Sequence, residues 1–254
     1  MFDWLKGDTG EQLEQLEARA ADPLAGVPHG PVAAARRCEL IFGASGEGKT
    51  TYMAHVHRQA VAGGVCATWI DTTGDNAYVA RFGLRTGAVC AVVRTPEGWF
   101  SHVRAAARAG RPYNIVLQPE GPLDELWPLI SAAANCLVSI DEADQHAPPG
   151  SADRMVKTPI GKTLSKGRNR QVSVLATSRL PSELNSMWKG LATSVMSFRQ
   201  ENEDHAQIIA RSYFQRAHPR AVELLTRGLR KFEYLRYTGA SGRLERGRTP
   251  SPGA

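Results

Sequence analysis

No stretch of this chain approaches the roughly 18 continuous apolar residues that a membrane-spanning helix needs, so none is expected. Cysteine is scarce: Cys38, Cys66, Cys90 and Cys136 are far apart and form no C-x-x-C pair. Three of them stand in strand-like apolar runs, where a buried free thiol is the ordinary reading. The start, MFDWLKGDTGEQLEQLEARA, is acidic and polar and lacks the build of a signal peptide. A reducing, cytoplasmic compartment is the expectation. Internal repeats are also missing, which argues against a solenoid. With 254 residues the chain has room for one large α/β domain with extensions.

Charge of one sign is missing in places too. Between Arg154 and Arg179 there are seven basic residues and no acidic one, and the formal net charge is +6. From Arg211 to the end, ten basic residues stand against Glu223, Glu233 and Glu245. The first thirty residues carry the opposite excess, with Asp3, Asp8, Glu11, Glu14, Glu17 and Asp22 against Lys6 and Arg19. Two basic stretches beside a nucleotide motif point to a polyanionic partner.

Residues 1–30 read as an acidic arm and a Pro/Gly-rich linker, and residues 31–238 as one core. Residues 239–254 read as a basic tail too polar and Gly/Pro-rich to pack. Within the core, apolar runs alternate with helical stretches. The strands expected are Cys38–Phe42, Val65–Asp71, Ala88–Arg94, Asn114–Leu117, Cys136–Ile140, Val172–Thr177 and Ser194–Arg199, with a last one in KFEYLRYTG. Helices are expected at Gly98–Ala109, Asp124–Ala134, Pro181–Leu191 and Glu203–Gln215. Such alternation indicates βαβ units and a mainly parallel sheet covered on both faces.

The segment IFGASGEGKT fills the pattern G-x-x-x-x-G-K-[ST] with Gly43, Gly48, Lys49 and Thr50, between an apolar run and a helical stretch. The loop Gly43, Ala44, Ser45, Gly46, Glu47, Gly48 can curl so that its N–H groups face a phosphate chain. The following helix, opening with Lys49, Thr50 and Thr51, backs it with its N-terminus. Lys49 is suited to the β- and γ-phosphates and the Thr50 hydroxyl to Mg²⁺. ATP and Mg²⁺ are therefore the expected ligands.

In NCLVSIDEADQ an apolar strand delivers Asp141 to its carboxyl end, where ligands bind in open α/β sheets. Asp141 suits Mg²⁺, and Glu142 suits a general base for water. This acidic pair separates a hydrolysing motor from a small-molecule kinase. The letters DEAD at Asp141 to Asp144 suggest a helicase, but a second nucleotide-fold domain has no room and no motifs. In KGRNRQVSVLATSRLPSELN a basic turn feeds a strand ending in Thr177 and Ser178, placed to sense a γ-phosphate. His55 and His57 are two apart on a helix, hence on different faces, and no metal spacing exists among the histidines. The tryptophans Trp69, Trp99, Trp127 and Trp188 sit in periodic elements and read as packing.

The order IDTTGD at Ile70 to Asp75, SIDEAD, then GRNRQVSVLATSRLP resembles the FtsK–HerA group of P-loop motors over Cys38 to Arg211. That group includes ring-forming DNA translocases and the genome-packaging ATPases of membrane-containing viruses. The resemblance implies a single P-loop NTPase domain, a homo-oligomeric ring of about six subunits, and ATP-driven movement of double-stranded DNA. Lys49 and Thr50 would bind phosphate and Mg²⁺, Asp141 would be the metal-side carboxylate and Glu142 the base. The group usually carries Gln where Ser178 stands. Thr177 or a water is then left to sense the phosphate. The trans-acting arginine finger is expected from GRNR, as Arg168 or Arg170, with phosphate contact on DNA as the other reading. Asp71 and Gly74 form a turn, or belong to the site.

Arg154, Lys157 and Lys162 are the expected DNA-backbone contacts, in a run without aromatics to stack on bases. Capsid-vertex or membrane-embedded portal proteins are expected as docking partners. The expected location is the host cytoplasm or a packaging vertex. Competing readings are a plasmid or conjugation motor, a zonula-occludens-toxin-like phage assembly ATPase, and a P-loop small-molecule kinase.

Overall fold

The computed structural model describes residues 37–121, 123–146, 158–166, 170–214, 218–239 and 241–250. The acidic arm and the sites Arg154, Lys157 and Arg168 lie outside the described residues. The strands are β1 (Cys38–Phe42), β2 (Cys66–Ile70), β3 (Val89–Val93), β4 (Tyr113–Leu117), β5 (Cys136–Ile140), β6 (Ser173–Ser178), β7 (Ser194–Phe198), β8 (Glu233–Thr238) and β9 (Arg243–Arg248). They form one nine-stranded sheet in the order β3-β4-β2-β5-β6-β1-β7-β8-β9. Every pairing from β3 across to β7 is parallel; β8 and β9 are added antiparallel. The expected α/β class and mainly parallel sheet are what the structure has.

The helices are α1 (Lys49–Ala62), α2 (Pro96–Arg108), α3 (Leu126–Ala133), α4 (Pro159–Lys166), α5 (Ser186–Leu191), α6 (Glu203–Tyr213) and α7 (His218–Glu223). The sheet is apolar on both faces because successive side chains of a strand point to opposite sides. Along β1, Cys38, Leu40 and Phe42 join one core, while Ile41 joins the other with Met53, Trp69 and Met196. Trp99, Trp127 and Trp188 are buried in the first core, so these three and Trp69 pack, as expected. None of the four cysteines is in a disulfide and all stand in strands; Cys38, Cys66 and Cys136 are buried.

Three local differences have physical causes. The stretch Pro181–Leu191 is broken into a tight 3-10 turn, Pro181–Glu183, and α5, because Leu184 is extended and the Asn185 side chain caps α5 by accepting from Met187 N at 3.0 Å. Between β2 and β3, for which no particular helix was named, Ala77–Thr86 winds as 3-10 turns and buries Val79 and Ala80 beneath α1. The tail, expected not to pack, supplies β9. Backbone bonding to the β8 edge needs few apolar side chains. Arg246 pairs with Glu233 at 2.6 Å, Leu244 packs on the core, and Gly247 leaves the room that the Tyr234 ring fills.

Glu39 is the one acidic residue in β1 and is fully buried. It receives hydrogen bonds from Tyr52 Oη (3.3 Å) and Ser194 Oγ (3.0 Å) and pairs with Arg37 (3.2 Å) and Arg236 (3.1 Å). One carboxylate thus ties β1 to α1, β7 and β8.

On α1, His57 is enclosed between Ser139 Oγ and Asn114 Oδ1, each at 2.9 Å, with its ring edge-on to Trp69. Burial pushes its pKa down from 6.5 to about 4. The unfolded chain takes up this proton as pH falls through about 6.5 while the folded one refuses it until about 4. Stability is therefore present above that window and is lost on acidification, by about 3 kcal/mol at roughly 1.4 kcal/mol per pH unit. His57→Gln should remove that part of the pH dependence. Urea unfolding of both proteins between pH 6.5 and 4 checks this; parallel curves would rule out His57 as the titrating group.

Candidate functional site: a phosphate loop beside an acidic pair

The site is built at the carboxyl edge of the sheet, where β1, β5 and β6 end together. Of these, β6 lies between the other two, so the phosphate loop after β1 faces the acidic pair after β5 across the tip of β6. After Phe42 the chain curls through Gly43 to Gly48 and enters α1. Gly48 has φ +116°, and a Cβ there would meet the Phe232 ring at 2.7 Å, so only glycine fits. The loop is held from outside: Ala44 N donates to Arg199 O (3.0 Å), Arg199 pairs with Glu47 (2.6 Å), and Phe232 N donates to Glu47 O (3.1 Å). Lys49 Nζ donates to Gly43 O (2.7 Å) and Ala44 O (2.9 Å), which centres the ammonium within the curl. Burial lowers its pKa, with the Arg179 charge adding to that and Asp141, Glu142 and Glu47 opposing it.

Asp141 follows β5 and is buried. The parallel register of β5 and β6 sets Ile140 against Ala176, so Asp141 comes level with Thr177. Thr177 Oγ1 donates to Asp141 Oδ1 at 2.6 Å and accepts from Glu142 N at 3.0 Å. Burial raises the Asp141 pKa; the Thr177 bond lowers it, Glu142 and Asp71 raise it, and Lys49 lowers it. Glu142 sits in the left-handed region at φ +52°, uncommon for a side-chain-bearing residue, and this turns its carboxylate into the cleft. Its Oε1 pairs with Arg179 Nη2 at 3.0 Å, and its Oε2 accepts from Gln145 Nε2.

Asp71 does both things read from the sequence. It closes a turn by accepting from Gly74 N (3.2 Å) and Asn76 N (2.9 Å). It also reaches the site, because Asn76 Nδ2 donates to both Asp71 Oδ1 (2.9 Å) and Asp141 Oδ2 (3.2 Å).

A cleft of about 410 Å³ joins these parts; Ser45, Gly46, Gly48, Lys49, Thr50, Thr51, Asp141, Glu142, Thr177 and Ser178 all line it. Loop, acidic pair and strand tip, read separately in the sequence, are therefore one site. The Ser178 hydroxyl donates to Leu180 O (3.1 Å), and Thr177 is committed to Asp141 and Glu142. Arg170 is exposed at the amino end of β6, on the edge of the sheet opposite the cleft, where its carbonyl accepts from Asn135 N at 2.8 Å. Lys162 is half-buried on α4, which packs on α3 through Thr163 Oγ1 to Trp127 O (2.9 Å) and Ser131 Oγ to Thr163 Oγ1 (3.1 Å).

The structure adds site residues that the sequence reading missed. Arg179, Asn76, Lys231 and Phe232 also line the cleft. A basic residue directly after the strand tip was the available signal for Arg179. Phe232 lies far along the chain and carried no signal.

No family model and no curated protein matches the sequence. Solved structures do. The genome packaging NTPase B204 from Sulfolobus turreted icosahedral virus 2, in complex with AMPPCP, superposes with a TM-score of 0.65 and 13% identity, covering 85% of this chain and 98% of that one. The DNA-packaging ATPase B204 from Sulfolobus turreted icosahedral virus gives 0.63 and 16%, covering 84% and 97%. VirB4 of Thermoanaerobacter pseudethanolicus gives 0.58 and 10%, covering 88% and 92%. The chain shares the fold of these proteins.

Gly48→Ala should lower the unfolding free energy by about 2 kcal/mol, or roughly 5 °C in Tm, through the positive φ and the contact with Phe232. Adding Phe232→Ala should recover the steric part of that loss. Thermal unfolding of the two variants and the wild type measures it, and an unchanged Tm for Gly48→Ala would refute the close approach.

Proposed function

We propose that this chain is a Mg²⁺-dependent ATPase that drives double-stranded DNA, most specifically in packaging a viral genome, as a homo-oligomeric ring. The observation that carries the reading is the convergence of Lys49, Thr50, Asp141 and Glu142 in one cleft, with β6 interposed between their strands. In this reading the loop N–H groups and Lys49 hold the triphosphate. Glu142 accepts a proton from the attacking water as the bond from the γ-phosphorus to the bridging oxygen breaks, releasing ADP and phosphate. One hydroxyl and one buried carboxylate beside phosphate oxygens form a donor set that Mg²⁺ takes, so Thr50 and Asp141 would hold it. The ion would neutralise phosphate charge. Thr177 holds Asp141 and Glu142 in register for this task.

The DNA and the ring rest on the motif resemblance and on the fold shared with the packaging proteins B204. The basic run and its lack of aromatics suit phosphate contact with duplex, and Arg154, Lys157 and Lys162 are its proposed residues. Arg168 or Arg170 is the proposed finger for a neighbour's site. Capsid or portal proteins would dock the ring. A small-molecule kinase fits less well, because a strand-tip carboxylate pair serves attack by water.

Lys49→Ala should lose ATP binding, whereas Glu142→Gln should bind ATP and turn it over at least about 10²-fold more slowly. Steady-state turnover with and without duplex DNA tests the whole reading: wild-type activity should rise on DNA. Wild-type rates from Glu142→Gln would remove the base assignment. Replacing Arg154, Lys157 and Lys162 together by Ala should weaken binding to unrelated duplexes alike. The log–log salt dependence should flatten by about 0.9 for each phosphate that is no longer neutralised. Binding that depended on one sequence would contradict a translocating motor.

A further inference from the structure

We propose that Arg179 is the residue through which this chain's own site recognises a γ-phosphate, by exchanging its ion pair with Glu142 for that phosphate. The assignment rests on the ATPase reading above and adds a catalytic residue to it.

Four observations point the same way. First, the strand tip offers little else: the Ser178 hydroxyl is turned onto Leu180 O, and Thr177 is held between Asp141 and Glu142. Arg179 comes next, with its guanidinium on the cleft. Second, both Glu142 oxygens already accept a hydrogen bond, one from Arg179 and one from Gln145. While the clasp holds, the guanidinium occupies the Glu142 oxygen that it covers.

Third, the clasp is weak. The Arg179 side chain is 66% exposed, and an exposed single ion pair contributes little. A γ-phosphate offers more charge and two oxygens in the geometry a guanidinium prefers, so it outcompetes one carboxylate. Fourth, Arg179 and Lys49 line the same cleft. Two cations that repel across a cleft are relieved by a polyanion between them.

The exchange has a consequence for turnover. ADP lacks the group that draws Arg179 away, so the clasp on Glu142 closes again once phosphate has left. ATP in place both gains a charged ligand and frees the base on the side facing the water.

The test uses the full chain with Arg179→Ala and Arg179→Lys, each also in the Glu142→Gln background so that ATP persists during binding. Affinities for ATP and ADP are measured by competition with a fluorescent nucleotide, and turnover is followed separately. Arg179→Ala should cut ATP affinity about tenfold while leaving ADP affinity unchanged, and lower kcat by about 10²–10³-fold. Arg179→Lys should restore part of both. An Arg179→Ala protein with the wild-type ATP-to-ADP preference, or with equal or faster turnover, would make the clasp a mere restraint and overturn the assignment. A wild type that neither binds nor turns over ATP would instead overturn the ATPase reading, and this inference with it.

Discussion

The Thr177 hydroxyl is the point on which the site depends. It gives its proton to Asp141 and takes one from the Glu142 backbone, so a single oxygen fixes two acidic residues of different proposed task. This is possible only because β6 is inserted between β1 and β5, with its tip level with Asp141. Were β5 to pair with β1 directly, the phosphate loop and the carboxylates would be neighbours with no group between them to hold either. The inserted strand also keeps Asp141 from water, and burial then raises its pKa while lowering that of Lys49. Each group is thus poised to gain from an opposite charge: Asp141 from a cation, Lys49 from an anion. A Mg²⁺–triphosphate supplies both.

A second constraint comes from the far end of the chain. Phe232 is a bulky residue at φ +67°, a conformation that persists only where surroundings impose it. Its N–H donates to Glu47 O in the phosphate loop, its carbonyl accepts from Thr249 N beyond β9, and its ring lies on Gly48. The β8–β9 hairpin is therefore hydrogen-bonded to the phosphate loop itself. A force on the hairpin would reach the loop backbone without passing through the core.

The parallel sheet, the loop and the acidic pair were legible because each rests on local pattern. CELIF and CLVSI are continuous apolar runs, and they became β1 and β5 with the bounds read from them. What stayed hidden was set by contacts distant in sequence. The strand β9 has only Leu244 to mark it, since its pairing is by backbone and by Arg246 with Glu233. Asn76 matters because it bridges Asp71 and Asp141, and it stands 65 residues along the chain from the latter. Arg179 was counted only as the end of a basic run, because its partner Glu142 lies on another strand's loop.

Two arginine sources with different geometry follow for the proposed motor. The strand β6, six residues and about 20 Å long, lies between Arg170, before its amino end, and Arg179, after its carboxyl end. Arg170 therefore lies away from the cleft of its own chain, which leaves it to the tasks proposed for it, a neighbour's site or contact with DNA phosphate. Arg179 is in the opposite position: it is held to the proposed catalytic glutamate of its own chain. A subunit with ATP bound would free its Glu142 by its own Arg179, yet still lack the second positive charge until a neighbour closes on it. Such a division separates recognition of the nucleotide from permission to hydrolyse it. That separation is what a ring needs if its sites are to fire in turn rather than together.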